Sequence, residues 1–215
     1  MLHPQFFGTA YIWWRTTGRT TQILLEHEAA DRIRRDTGEA LRAVLWSSDL
    51  RGFTERSDRL AGDRMITILN LLFEAKAIHD HGGEILKCVG DGLLAIFPIE
   101  DAGRAGDAAH QAIAAVRRLS DDTALADEPP LQIVVALHAG TVIYGNIGVP
   151  DRLDFTVIGP AVNLVSRVEA MAKALDLPMV VSEDFARRPM TPLGSHRLHG
   201  LSTPRNLLAP DLPSQ

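Results

Sequence analysis

At 215 residues, 46% of them apolar, the chain has room for one ordinary domain with a real core and is too apolar for a disordered polymer. Its 22 Lys and Arg against 27 Asp and Glu leave a net charge of −5, which excludes a general nucleic-acid surface and leaves an anionic small molecule to local cations or metals. The single cysteine, Cys88, excludes an internal disulfide and suits a reducing, cytoplasmic setting, and no apolar run reads as a signal peptide or a membrane span.

Residues 6–14 are apolar and aromatic but stop at Arg15-Thr16-Thr17-Gly18. We read them as a packed linker helix, the alternative being the end of an upstream membrane or sensory module. Residues 19–42 are rich in Arg, Glu, Asp and Ala with scattered apolar positions, the pattern of a solvated helical lead-in. The expected division is therefore a lead-in over 1–40, a domain over 41–210 and a tail over 211–215. Trp13-Trp14 reads as packing.

The domain opens on Ala43-Val44-Leu45-Trp46, a central strand. It ends in Ser48-Asp49-Leu50-Arg51-Gly52-Phe53-Thr54, where a carboxylate closes an apolar run and a glycine turn follows at once. Met65, Ile68, Leu69, Leu72 and Phe73 make one face of a helix ending near His81-Gly82-Gly83, with His79 and His81 favoured there by the helix dipole. Residues 84–89 and 92–97 read as a hairpin closed at Gly90 to Gly92 and ended by Pro98. Its turn carries a second carboxylate, Asp91, and Cys88 in its first strand reads as a small core residue. Ala105, Ala109, Ala112, Ile113, Val116 and Leu119 form a second helical stripe. A polar loop over 120–130, with a solvated Asp121-Asp122 pair, leads to a strand over 131–140.

Strand, helix, hairpin, helix, strand is a βαββαβ order, so the expected class is α+β: a ferredoxin-like core with helices on one face of a largely antiparallel sheet. Appended to it are an arm over 141–158, a helix starting at Gly159-Pro160, and short strands near 179–182, 196–198 and 206–209. Proline suits the first helical turn, where its missing N–H is not needed. In that helix Ala161, Val165, Val168, Ala172 and Leu175 gather on one side, while Asn163 and Arg167, four apart, lie on another that is free to serve a site. Two strand-end aspartates, Asp49 and Asp91, can hold two divalent cations against a nucleotide triphosphate. Backbone N–H groups of Gly52, Phe53 and Thr54, at the start of a helical turn, can take its outer phosphates.

Three blocks now stand in order over roughly 120 residues. They are Asp49-Leu50-Arg51-Gly52-Phe53-Thr54, Lys87-Cys88-Val89-Gly90-Asp91, and Phe155-Thr156-Val157-Ile158-Gly159-Pro160-Ala161-Val162-Asn163-Leu164-Val165-Ser166-Arg167. Together they closely resemble the class III nucleotidyl cyclase catalytic domain of the bacterial adenylate cyclase type. The resemblance implies a head-to-tail homodimer with active sites at the subunit boundary. It implies that Asp49 and Asp91, with Leu50 in the same ligand set, bind two Mg²⁺ or Mn²⁺ ions, that Asn163 orients the ribose, and that Arg167 stabilises the transition state. Cyclisation is an in-line attack of the ribose 3′-hydroxyl on the α-phosphorus with pyrophosphate leaving. Lys87 and Thr156 match the family's purine-reading pair. A lysine donates and cannot accept, so it suits adenine N1 and opposes guanine N1–H, which makes ATP the expected substrate. Ser47 stands where a bulky apolar residue is common and is assigned to packing. Leu198-His199-Gly200 resembles the strand where relatives place a phosphate-binding lysine, and His199 is either a pH-dependent substitute or an exposed strand-end histidine. The alternatives are a nucleotide-sensing pseudo-cyclase that dimerises without turnover and, among enzymes, a guanylate or diguanylate cyclase.

Overall fold

The computed structural model describes residues 38–60, 74–119, 129–149, 152–186 and 189–210. The expectations for the lead-in before residue 38, for Met65 to Phe73, for Asp121-Asp122 and for the tail lie outside them.

β1 (Gly38–Leu50) begins within the range assigned to the lead-in and is followed by a short helix, α1 (Phe53–Arg59). α2 (Glu74–Asp80) ends where His81-Gly82-Gly83 marks a stop, and the His81 ring bonds the Ala77 carbonyl at 2.8 Å. The hairpin of β2 (Glu84–Val89) and β3 (Gly92–Pro98) follows, then α3 (Ala102–Leu119). β4 (Ile133–Val149) is longer than the expected strand because it runs on into the arm, where it pairs with β5 (Arg152–Ile158). α4 (Pro160–Ala174) starts on the expected proline. β6 (Met179–Ser182), β7 (Thr191–His196) and β8 (Arg205–Ala209) complete the described chain.

Among the described residues the strands form one sheet of order β2-β3-β1-β4-β6-β8-β7, with β5 added to β4. Its first four members carry the ferredoxin-like arrangement, and every pairing is antiparallel except β4 with β6. Both faces are covered: the core helices α2 and α3 lie on one face, as expected, and the appended helix α4 covers the other. Val44, Trp46 and Leu50 of β1 face α2 and α3, while Ala43 and Leu45 face α4. That is why the apolar run of β1 is continuous and not alternating. In α4 the buried stripe is Ala161, Leu164, Val165, Val168 and Ala172; Leu175, expected in it, is the C-cap and 37% exposed.

Three further expectations are corrected. Cys88 is exposed, because the β2–β3 register shifts between Ile85 and Lys87, which disturbs the alternation and leaves Lys87 and Cys88 both facing outward. The seventh strand is 191–196, not 196–198; Pro192 and Gly194 hide it in the sequence, and it survives as an edge strand paired with β8. Ser47 is buried but is a hydrogen-bond donor, as described next.

Candidate active site

Asp49 is the penultimate residue of β1, and Asp91 lies in the β2–β3 turn. Since β1 pairs with β3 as far as Ser48 and Leu93, the end of β1 arrives beside that turn. Asp91 Oδ2 accepts a hydrogen bond from the Leu50 N–H at 3.3 Å, which brings its carboxyl beside that of Asp49. Burial first, and then the Asp49 charge, push the Asp91 carboxyl above its ordinary range. Two crowded, half-buried carboxyls of this kind are relieved by a nearby cation or by a shared proton.

The cation in place is Lys173, from the last turn of α4. Its Nζ bonds Asp49 Oδ2 and lies 2.9 Å from Glu169 Oε1. Glu169 Oε2 accepts a hydrogen bond from Ser47 Oγ at 2.6 Å. Burial opposes the Lys173 charge, but the hydrogen bonds to Asp49 and then Glu169 outweigh it and raise its pKa. Sequence reasoning missed this cluster; the available signal was the Glu169–Lys173 pair at i,i+4 on α4.

Gly52 caps α1 with φ 66°, a left-handed conformation that favours glycine, and places the N–H groups of Phe53 and Thr54 at the helix start. Buried Arg56 fixes α1 by donating to the Pro129 and Pro130 carbonyls at 2.7 and 3.0 Å. Arg51 turns away from the carboxyls, pairing with Asp176 at 2.9 Å and donating to the Leu177 carbonyl at 3.0 Å, so it holds the turn after α4.

On α4, Asn163 is exposed and Arg167 half-buried, with its Nε buried and without a hydrogen bond. The loop at Gly200 passes over the Arg167 guanidinium so closely that an added Cβ would lie 3.3 Å from Nη2. His199, the preceding residue, is exposed. Lys87 is exposed on β2, which contacts β5; Thr156 of β5 pairs with Gly145, and its side chain lies outside the described residues. The structure thus joins Asp49 with Asp91, and Arg167 with the Gly200 loop. Among the described residues no hydrogen bond or ion pair joins Asn163 or Arg167 to either aspartate; what α4 presents to Asp49 is Lys173. A separate cavity of about 660 Å³, lined by Arg42, His138, Gly140, Ala161 and Arg205 among others, lies towards the opposite end of β1 and holds none of the predicted site residues.

The donor set fits a small hard divalent cation. Carboxylate oxygens are the ligands Mg²⁺ and Mn²⁺ favour, and the crowding that raises Asp91 is relieved when a cation shares both carboxylates. Among the described residues no group of three or more His, Cys, Asp and Glu converges, so the protein's share of such a site is small. That is the usual economy of a metal bound together with substrate phosphates.

The family described as the adenylate and guanylate cyclase catalytic domain matches residues 42–187. An adenylate cyclase of Anabaena cylindrica is 32% identical over 160 residues, which cover 70% of this chain and 31% of that protein. The crystal structure of the guanylyl cyclase Cya2 superposes with a TM-score of 0.70 at 26% identity, covering 83% of this chain and 97% of that one. The adenylyl cyclase CyaB from P. aeruginosa gives 0.68 at 26% identity, covering 80% and 94%.

Proposed function

Because the chain belongs to the family of adenylate and guanylate cyclase catalytic domains, we propose that it converts ATP to 3′,5′-cyclic AMP and pyrophosphate, as a homodimer whose two active sites are each shared between the chains. The observation that carries this reading is the meeting of Asp49 and Asp91 at one end of β1 while, among the described residues, no hydrogen bond or ion pair joins Asn163 or Arg167 of α4 to them. One chain holds the two halves of a site apart, and a second chain in a head-to-tail arrangement completes it.

Asp49 and Asp91, with Leu50 beside them, would hold two Mg²⁺ or Mn²⁺ ions; when bound, these acidify the ribose 3′-hydroxyl and neutralise the triphosphate. The N–H groups around Gly52, Phe53 and Thr54 receive the outer phosphates. Asn163 orients the ribose, so that the hydroxyl and the α-phosphorus are held in line. Arg167 offers a planar fork of donors to the charge developing on the α-phosphate. Its unbonded Nε is consistent with a group kept for a ligand. His199, next to Gly200, adds a weaker donor beside Arg167.

The base is chosen by Lys87 and Thr156. The Lys87 ammonium donates to adenine N1 and opposes guanine N1–H, and the Thr156 hydroxyl accepts from the 6-amino group. Relatives named for either nucleotide stand among the similar proteins, so the donor-only character of Lys87 is what favours ATP. The reading places the domain in the cytoplasm.

The test is incubation with equimolar ATP and GTP and Mn²⁺, with products separated by mass. Cyclic AMP in large excess over cyclic GMP, and its loss in Asp91→Asn with the fold retained, is the expected result. No cyclic nucleotide at all would instead identify a non-catalytic nucleotide sensor, and dominant cyclic GMP or cyclic di-GMP would overturn the base assignment.

A further inference from the structure

Lys173 has no part in the reaction just described, yet it is held by carboxylates on two sides, one of them Asp49. Its ammonium sits between Asp49 Oδ2 and Glu169 Oε1, the second contact at 2.9 Å. Glu169 is itself fixed, its side chain 15% exposed and its other oxygen held by Ser47 Oγ at 2.6 Å. Ser47 stands two residues before Asp49 on β1, so the strand that carries Asp49 also positions the carboxylate that positions Lys173. A surface ion pair made by chance has no such support, and contributes little.

The placement has a chemical meaning. An ammonium bonded to Asp49 Oδ2 occupies a lone pair that a divalent cation needs and sets a positive charge where that cation must lie. It relieves the same crowding of Asp49 and Asp91 that a metal would relieve. Glu169 then gives the ammonium somewhere to go: it is already within bonding distance and is not among the residues that hold the metal.

We propose that Lys173 is a built-in stand-in for the divalent cations, holding Asp49 in the metal-free protein and displaced wholly onto Glu169 when Mg²⁺ or Mn²⁺ enters. This rests on the reading of Asp49 and Asp91 as cation ligands. Lys173 is a positioning residue: it keeps the Asp49 carboxylate occupied and makes bare metal binding weak, so that full loading waits for the charge of the nucleotide's phosphates. The displacement takes place on α4, the helix that carries Asn163 and Arg167 to the other active site of the dimer. Metal loading at one site therefore alters a contact on the helix that serves the second.

The experiment is a titration with Mn²⁺ alone, without nucleotide, followed by the electron paramagnetic resonance signal of the free ion. Parent, Lys173→Met, Lys173→Arg and Asp49→Asn proteins are compared. A cation left about 5 Å from a dication under water-like screening weakens binding roughly tenfold, so Lys173→Met is expected to bind Mn²⁺ about tenfold more tightly than the parent. Lys173→Arg, which keeps the charge, stays near the parent. A merely structural lysine predicts the opposite, since its loss would loosen Asp49 and weaken binding. Unchanged or weaker Mn²⁺ binding in a folded Lys173→Met overturns the proposal.

Asp49→Asn separates two kinds of failure. If the parent shows no Mn²⁺ binding that Asp49→Asn removes, the metal reading falls and this proposal with it. If such binding exists but Lys173→Met leaves it alone, only the role of Lys173 falls. Should Lys173→Met not fold, the parent suffices: the Lys173 ammonium resonance, identified by its absence in Lys173→Arg, must shift as Mg²⁺ is added, and a resonance that does not move refutes the displacement.

Discussion

Gly140→Ala tests whether the site depends on the seat of α4. Gly140 lies in β4 opposite Ala43, and a Cβ there would fall 2.6 Å from His138 Nε2 and 2.7 Å from Ala161 Cβ. Ordinary contacts of this kind are about 3.5–4 Å, so each neighbour must give by roughly 1 Å. Neither yields easily. His138 is 5% exposed and its Nδ1 is tied to Ser182 Oγ at 2.7 Å. Ala161, also 5% exposed, belongs to the first turn of α4. Overpacking costs about 1–3 kcal/mol, and the stiffer unfolded chain of Ala returns about 0.4–1 kcal/mol, leaving a net loss of about 1–2 kcal/mol. The path of least resistance lifts the start of α4, and with it Asn163 and Arg167; a misplacement of about 1 Å can lower turnover about a hundredfold. Urea unfolding and cyclic AMP production at saturating ATP read the two effects, with Mn²⁺ affinity expected to be unchanged because Asp49 and Asp91 lie towards the other end of β1. Adding Ala161→Gly removes one of the two clashes and should recover part of both losses in a double-mutant cycle. A stability loss below about 0.5 kcal/mol with turnover within twofold of the parent would refute the reasoning.

Two further outcomes follow from single groups. Lys87→Glu puts an acceptor opposite adenine N1, and a mispaired polar group in a closed site costs about 1–3 kcal/mol; the ATP-to-GTP ratio of kcat/KM should fall roughly ten- to a hundredfold with the melting temperature retained, and an unchanged ratio would sink the base assignment. Burial first, reinforced by Arg205 and opposed by Asp184, holds the His138 imidazole down to about 4, against an ordinary value of 6.5. Since the unfolded chain takes the proton first as pH falls, this group removes stability progressively from about pH 6.5 to about pH 4, by about 3 kcal/mol in all. His138→Asn, which keeps a partner for Ser182, should show a visibly shallower acid decline in urea unfolding; identical slopes would contradict the burial argument.

What the residues disclosed followed from local rules. The two apolar runs of the hairpin, the glycines at its turn and the proline opening α4 each act within a few residues, and each stands in the expected element. What stayed hidden depends on distant parts of the chain. The continuous apolar run of β1 signals burial on both faces, but only the position of α4 reveals what covers the second. Cys88 faces outward because of a register shift that no periodicity records. The strand at 191–196 contains a proline and a glycine, and pairing with β8 overrides their poor propensity. The Lys173 contact with Asp49 spans 124 positions, and the sequence offers only its local half, the pairing with Glu169.

The central claim is that each active site is built from two chains, and subunit complementation tests it most directly. Asp91→Asn chains lack a metal carboxylate and Arg167→Ala chains lack the transition-state cation, so each alone should be inactive. Mixed in equal amounts and allowed to exchange, half of the dimers become mixed, each with one doubly defective site and one intact site. The predicted recovery is about a quarter of parental activity, by counting over a two-fold dimer. If every site is contained within one chain, the mixture stays inactive in all combinations, and zero recovery with exchange independently confirmed would contradict the shared-site account.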